Sequence, residues 1–252
     1  MLDSAQIPRI AVYQITCSKD MNTDYIKVLA FDADDTLWDC QSHFVAVERQ
    51  YCDMLAPFGD ERHISGELFK TETKNMAELG YGSKAFTLSL VENAVKVSGG
   101  SIDATTLLAI QELGRSLLRL PATPLEGVDS TLKALRGRGH YKMVVFTKGE
   151  ILDQENKLIR SGLWDYFDRV EVVADKTPRQ YRELCATFGI GIDELLMVGN
   201  SFKSDIEPVL RLGGYAVHIP FELTWEHERI EEFDHPHLVR IARFSELLQI
   251  LR

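Results

Sequence analysis

The stretch KVLAFDADDTLWD, Lys27 to Asp39, decides the fold. Its apolar run is short and lacks helical spacing, so it reads as a buried strand, best taken as IKVLAFD, residues 26–32. The strand then meets Asp32, Asp34 and Asp35, three carboxylates in four positions. Carboxylates this close repel one another, and burying unpaired charge is costly. The knot therefore requires a cation or a proton.

Outward from this strand the rhythm changes twice. From Cys40 to about Leu120 the spacing is helical, with no good strand. Four amphipathic helices are predicted, over 43–59, 65–80, 84–100 and 103–120, the last with Asp103 as its N-cap. From residue 121 helices and strands alternate. Strands are predicted at 141–147, 169–174, 194–200, 215–220 and 238–242, and a last helix at 245–252 is capped by Ser245. Such alternation makes βαβ units and a parallel sheet covered on both faces.

The expected fold is α/β: a doubly wound, Rossmann-like core (21–39 and 121–252) with a small inserted α-helical cap domain (40–120). Residues 1–20 read as an N-terminal extension, because Met21 is a natural beginning; within it RIAVYQITC (9–17) is a candidate edge strand.

The chain has 252 residues and a formal net charge of −10. An acidic balance argues against nucleic acid and anionic membrane as partners, since both are bound chiefly through Lys and Arg. The four cysteines are scattered, which suits reduced thiols. With no signal peptide and no apolar span, a cytoplasmic protein is expected.

In doubly wound sheets the ligand site lies beyond the carboxyl ends of the strands. Those ends supply Asp32 and Asp34; Thr147, Lys148 and Gly149; Asp175 and Lys176; and Asn200, Ser201 and Asp205. Asp32 and Asp34, two apart on a strand, share a face. A few carboxylates with an amide oxygen are how Mg²⁺ is usually held. Thr147 and the amides that follow it open a helix, a ready anion site, and Lys176 adds a positive charge. Together these parts describe phosphoryl transfer through an aspartyl phosphate.

The sequence resembles the haloacid dehalogenase superfamily, whose members are mostly phosphatases. The resemblance rests on Asp32-Ala33-Asp34-Asp35-Thr36 after an apolar strand, on Thr147 and Lys176 at later strand ends, and on GNSFKSD from Gly199 to Asp205. It runs from about Tyr25 to the C-terminus. It implies that Asp32 attacks phosphorus and binds Mg²⁺, and that Asp34 is the acid and base, its backbone carbonyl touching the metal. It implies also that Thr147 and the Lys148 and Gly149 amides hold phosphoryl oxygens, that Lys176 neutralises Asp32 and the phosphate, and that Asp205 completes the metal site. The helical insert corresponds to the cap that closes over substrate.

Two positions depart from the pattern. Asp35 stands where Gly is usual and is expected to point away and cap the following turn. Asn200 stands where an acid is common; it still offers a neutral oxygen, so either it or Asp205 is the direct ligand.

The expected function is a Mg²⁺-dependent phosphatase acting on a small phosphorylated metabolite. A non-catalytic phosphate-binding module is the alternative from another class. Within the fold, Asp34 counts against a dehalogenase and Thr36 against a phosphomutase. In the cap, LGYGSKAF (79–86) is a loop from which Lys84 can meet substrate. DHPH (234–237) reads as a surface turn rather than a metal site, and Trp38 and Trp225 as packing residues.

Overall fold

The computed structural model describes residues 23–251. The candidate strand at 9–17 and the rest of the extension lie outside them. β1 (Val28–Phe31) is followed by four helices, α1 (Gln41–Met54), α2 (Glu61–Leu79), α3 (Ser83–Val97) and α4 (Ala104–Ser116). Then come α5 (Val128–Arg138), β2 (Lys142–Lys148), α6 (Ile151–Ser161), β3 (Arg169–Val173), α7 (Pro178–Phe188) and β4 (Leu195–Gly199). The chain ends with α8 (Glu207–Arg211), β5 (Tyr215–His218), β6 (Leu238–Arg240) and α9 (Leu247–Ile250).

The six strands form one sheet in the order β3-β2-β1-β4-β5-β6. Every pairing is parallel. The sheet is therefore the doubly wound α/β sheet that the alternating rhythm predicts. β1 lies at its centre, between β2 and β4, where the winding reverses and a crevice opens beyond the strand ends.

Side chains alternate across a strand, and the core divides accordingly. Leu29 and Phe31 join Met143, Val145, Leu196 and Val198 on one face. Val28 and Ala30 join Val144, Phe146, Leu195 and Met197 on the other. With both faces buried, these strands read as continuous apolar runs rather than as an alternation.

A third apolar cluster lies wholly within α1–α4 and their connections, built on Tyr51, Leu55, Ile64, Leu68, Leu90 and Ile110. Tyr51 donates its hydroxyl to the Leu90 carbonyl at 3.1 Å and accepts from Asn93 Nδ2 at 2.8 Å, so its polar end is satisfied inside that core. The two connections between this bundle and the sheet run side by side: Leu125 N–H donates to the Leu37 carbonyl at 2.9 Å. Asp103 caps α4 as expected, through Thr106 N–H.

Several boundaries differ from expectation. The first helix of the insert begins at Gln41 and stops at Met54, with a 3-10 turn at Ala56–Phe58 around Pro57. The helix predicted after β4 opens as a π turn over Phe202–Ile206, and α8 follows with Pro208 in its first turn, a position that requires no N–H. Ser245 does not cap the last helix; it lies within a 3-10 turn, Phe244–Glu246.

Candidate active site

A cavity of ≈ 190 Å³ opens beyond the carboxyl ends of β1, β2 and β4 and is roofed by the α2–α3 connection. Asp32, Asp34, Thr147, Lys148, Gly149, Lys176, Asn200 and Asp205 all line it. The structure thus brings together the strand-end residues singled out from the sequence. Asp175 and Lys84 are the exceptions and do not wall the cavity: Asp175 Oδ1 accepts from Lys176 N–H at 2.9 Å, and the Lys84 ammonium pairs with Glu150 at 2.5 Å. The helix that carries Lys84 turns it toward α6 rather than inward.

Asp32 follows β1 and is buried. Its Oδ1 lies 2.5 Å from Lys176 Nζ, and its Oδ2 accepts from Thr36 Oγ1 at 3.2 Å. Lys176 reaches also to Asp205 Oδ1 at 2.6 Å. Burial opposes the lysine's charge, but the two carboxylates outweigh it and hold its pKa above the ordinary value. Burial pushes both carboxyls upward, and Lys176 only partly offsets this. Two buried carboxylates share one ammonium, so the trio is one positive charge short.

Asp34 has a different environment. Its Oδ1 accepts from Trp38 Nε1 at 2.7 Å and its Oδ2 from Gln154 Nε2 at 2.9 Å. Lys157 Nζ lies 2.8 and 2.7 Å from the two oxygens. Burial favours the neutral acid, but Lys157, Trp38 and Gln154 together win and hold the carboxyl below its usual range. Trp38 is therefore a fully buried packing residue that also orients Asp34. Two carboxylates from one strand end are thus shifted in opposite directions by what surrounds them, Asp32 upward and Asp34 downward.

Asp35 adopts φ 63°, the left-handed region that Gly enters freely and Asp tolerates. Its Oδ1 accepts from the N–H groups of Cys40 and Gln41, both at 2.8 Å, and so caps the start of α1. It does not turn wholly away, however, since it lines the cavity wall. Burial pushes its carboxyl up to about 7.

The phosphate side differs in detail from expectation. Thr147 is buried, and its Oγ1 accepts from Gln154 Nε2 at 3.1 Å. The Gly149 amide, expected to meet phosphoryl oxygens, donates to the Val173 carbonyl at 3.2 Å, because the β2–β3 ladder continues past Lys148. The Lys148 ammonium is held by Glu228 and by Ser204 Oγ at 2.8 Å, and lies 4.3 Å above the Tyr81 ring.

Asp205 sits in the π turn, pressed against the chain at Gly199. A Cβ there would lie 2.2 Å from Asp205 Oδ2, so only glycine permits the approach. That Oδ2 accepts from Ser201 N–H at 2.9 Å. Asp205 Oδ1 meets Lys176, so each oxygen of Asp205 accepts one hydrogen bond. Asn200 Oδ1 and Asp32 Oδ2 both meet Thr36 Oγ1 at 3.2 Å, which brings these two oxygens to one side of the cavity.

The donor set can be compared with what Mg²⁺ takes. Among the described residues no three His, Cys, Asp or Glu side chains cluster as an all-protein cage. Mg²⁺ needs none, being held through one or two carboxylates with waters and substrate phosphate. One carboxylate oxygen, one amide oxygen and an uncompensated negative charge fit it.

Three contributors were not legible in the sequence as site residues, Gln154, Lys157 and Glu228, and Thr36, though part of the quoted motif, had no contact assigned to it. Gln154 and Lys157 did carry a signal. They sit at i and i+3 with Leu158 beside them, on the stripe of α6 that periodicity reserves for the core. Glu228 lies in the loop after β5 and carried none. Trp225, expected to pack, lines the cavity edge-on to Tyr81, with ring centroids 5.8 Å apart. His235 and His237 of DHPH pack against each other, and His237 stacks on Tyr215. Among the described residues no helix is long and apolar enough to cross a membrane.

Comparison with known proteins agrees with this geometry. The haloacid dehalogenase-like hydrolase family model matches residues 26–213. The chain is 29% identical over 214 residues to a glyceraldehyde 3-phosphate phosphatase of Methanothermobacter thermautotrophicus, covering 81% of this chain and 89% of the relative. It is 27% identical over 235 residues to the protein of that name from Methanopyrus kandleri, covering 90% and 97%. Among solved structures, a haloacid dehalogenase-like family hydrolase from Xanthomonas campestris superposes with a TM-score of 0.80 at 31% identity, covering 90% of this chain and 92% of that one.

Proposed function

Since the chain belongs to the haloacid dehalogenase-like hydrolase family, we propose that this hydrolase is a Mg²⁺-dependent phosphatase acting on a small phosphomonoester through an aspartyl phosphate on Asp32. One observation carries the reading. Asp32 and Asp34 leave the same strand end, yet Asp32 faces Lys176 and Thr36 whereas Asp34 is held by Lys157, Gln154 and Trp38. One carboxylate is placed as nucleophile and the other as acid and base.

In the first half-reaction an Asp32 oxygen bonds to phosphorus as the P–O bond to the leaving group breaks. Asp34 gives the departing oxygen a proton that it carries only in a minor protonated form, since Lys157, Trp38 and Gln154 favour its ionised carboxylate. In the second half Asp34 takes a proton from water as the water oxygen attacks phosphorus, which frees phosphate and restores Asp32. Lys176 and Thr147 hold phosphoryl oxygens throughout. Asp32, Asn200 and the Asp34 backbone carbonyl would hold Mg²⁺, which when bound supplies the missing positive charge beside the transferring group.

Residues 40–120 act as the cap that chooses substrate, since their α2–α3 connection roofs the cavity. The cavity, at ≈ 190 Å³, lies below the about 300–1,000 Å³ typical of drug-sized ligand pockets. A small phosphorylated metabolite is the matching substrate class, in keeping with the three-carbon substrate in the relatives' name. The test is hydrolysis of p-nitrophenyl phosphate with and without Mg²⁺, followed by a panel of small sugar and triose phosphates. Turnover that requires Mg²⁺ supports the reading; binding of phosphate with no turnover at any Mg²⁺ concentration refutes it.

A further inference from the structure

Helix α6 buries three polar side chains where apolar ones would pack, Asp153, Gln154 and Lys157; Asp153 lies 3.9 Å from Lys157, and the other two reach Asp34. Gln154 is 3% exposed and Lys157 also 3%. Burying an ammonium is costly, and a buried ion pair is weak evidence for stability alone, since apolar residues of similar volume often do as well. What this pair touches points to another use. Lys157 Nζ spans both oxygens of Asp34, at 2.8 and 2.7 Å. The Gln154 amide nitrogen meets Asp34 Oδ2 at 2.9 Å, Thr147 Oγ1 at 3.1 Å and the Lys148 carbonyl at 2.6 Å. One helix face thus ties the end of β1 to the end of β2. A carboxylate on a loop could otherwise rotate about two torsions; here each oxygen has a donor from α6, and Trp38 closes the remaining side.

We infer that Lys157, assisted by Gln154, is a positioning residue that aims the Asp34 carboxylate at the water that splits the aspartyl phosphate. The inference rests on the phosphatase reading above. It predicts where in the cycle the loss of Lys157 is felt. p-Nitrophenolate is a good leaving group and departs without a proton, so forming the phosphoenzyme from p-nitrophenyl phosphate makes little demand on Asp34. Hydrolysing it requires Asp34 to be aimed.

The experiment is a rapid-mixing time course with p-nitrophenyl phosphate on wild type, Lys157→Met, Lys157→Arg and Gln154→Leu. For Lys157→Met a burst of about one p-nitrophenolate per chain is expected, followed by a steady rate lowered more than about 100-fold, the low end of what general acid–base catalysis contributes. Lys157→Arg, which keeps a cationic donor, recovers most of the steady rate. Gln154→Leu strands no charge and is expected to show the same burst, and it serves if Lys157→Met does not fold. A Lys157→Met or Gln154→Leu enzyme that keeps the wild-type steady rate within about twofold overturns the inference. So does a slow enzyme with no burst, because both halves of the cycle would then have failed together, as a general structural loss would make them. A wild type that never turns over p-nitrophenyl phosphate refutes the phosphatase reading itself, and this inference with it.

Discussion

Lys176 Nζ lies 2.6 Å from Asp205 Oδ1, on a residue of the π turn that follows β4. Asp205 thereby holds the lysine in place against Asp32. Removing one partner of a buried pair costs about 3–5 kcal/mol, because the other charge is left unpaired. Lys176→Met leaves two such carboxylates, so a loss of at least that size is expected in chemical denaturation at neutral pH. A variant within about 1 kcal/mol of wild type would place the pair in the range of exposed ion pairs, contrary to its burial.

Asn200 is the neutral member of the proposed Mg²⁺ set. Asn200→Asp adds a charge beside Asp32 and Thr36 without changing side-chain size. The expected result is a half-saturating Mg²⁺ concentration lowered by about tenfold, equivalent to about 1.4 kcal/mol, read from activity against Mg²⁺ and from calorimetric titration. An unchanged Mg²⁺ requirement would remove Asn200 from the set.

Glu72, on the cap side of the cavity, gives a pH prediction that does not involve the metal. Burial, with a smaller contribution from Glu48, pushes its carboxyl up from 4.5 to about 8. Between those values the folded protein binds more protons than the unfolded chain, so the stability linked to Glu72 is present below about pH 4.5 and lost as pH rises through about 8. Glu72→Gln abolishes that loss. Thermal melts should show the variant more stable than wild type at about pH 9 and equal to it at about pH 4.5; a difference independent of pH would contradict the assignment.

Gly114 sits within α4, where alanine would ordinarily gain about 1 kcal/mol from helix propensity. Here a Cβ would lie 2.3 Å from Thr87 Oγ1 and 2.8 Å from its Cβ and Cγ2. Overpacking of this kind costs about 1–3 kcal/mol, so Gly114→Ala is expected to destabilise on balance. A stabilised variant in thermal or chemical denaturation would mean that α3 and α4 can move apart freely.

Much of this was legible in the sequence for physical reasons that differ between parts. The sheet could be read because its central strands are buried on both faces and appear as apolar runs, as Met143 to Phe146 do in β2 and Leu195 to Val198 in β4. The strand-end residues followed, because a doubly wound sheet gathers its carboxyl ends on one rim. What remained hidden depends on side-chain reach across the fold. Lys157 pairs with a residue 123 positions away and Glu228 with one 80 away, and no local pattern announces such partners. The Gly149 amide differs from expectation because the sequence does not say how far a ladder runs, and Lys84 because 79–86 is not all loop: α3 begins at Ser83, and the packing of that helix sets the direction in which Lys84 points.

The central claim is that Asp32 carries the phosphoryl group. The most direct test is acid quench of the enzyme during turnover, with mass spectrometry of the peptide containing Asp32. A phosphoryl adduct on Asp32 in wild type, absent in an inactive Asp32→Asn variant, is the expected result. Mg²⁺-dependent turnover with no adduct, or an Asp32→Asn enzyme that retains full activity, would contradict it.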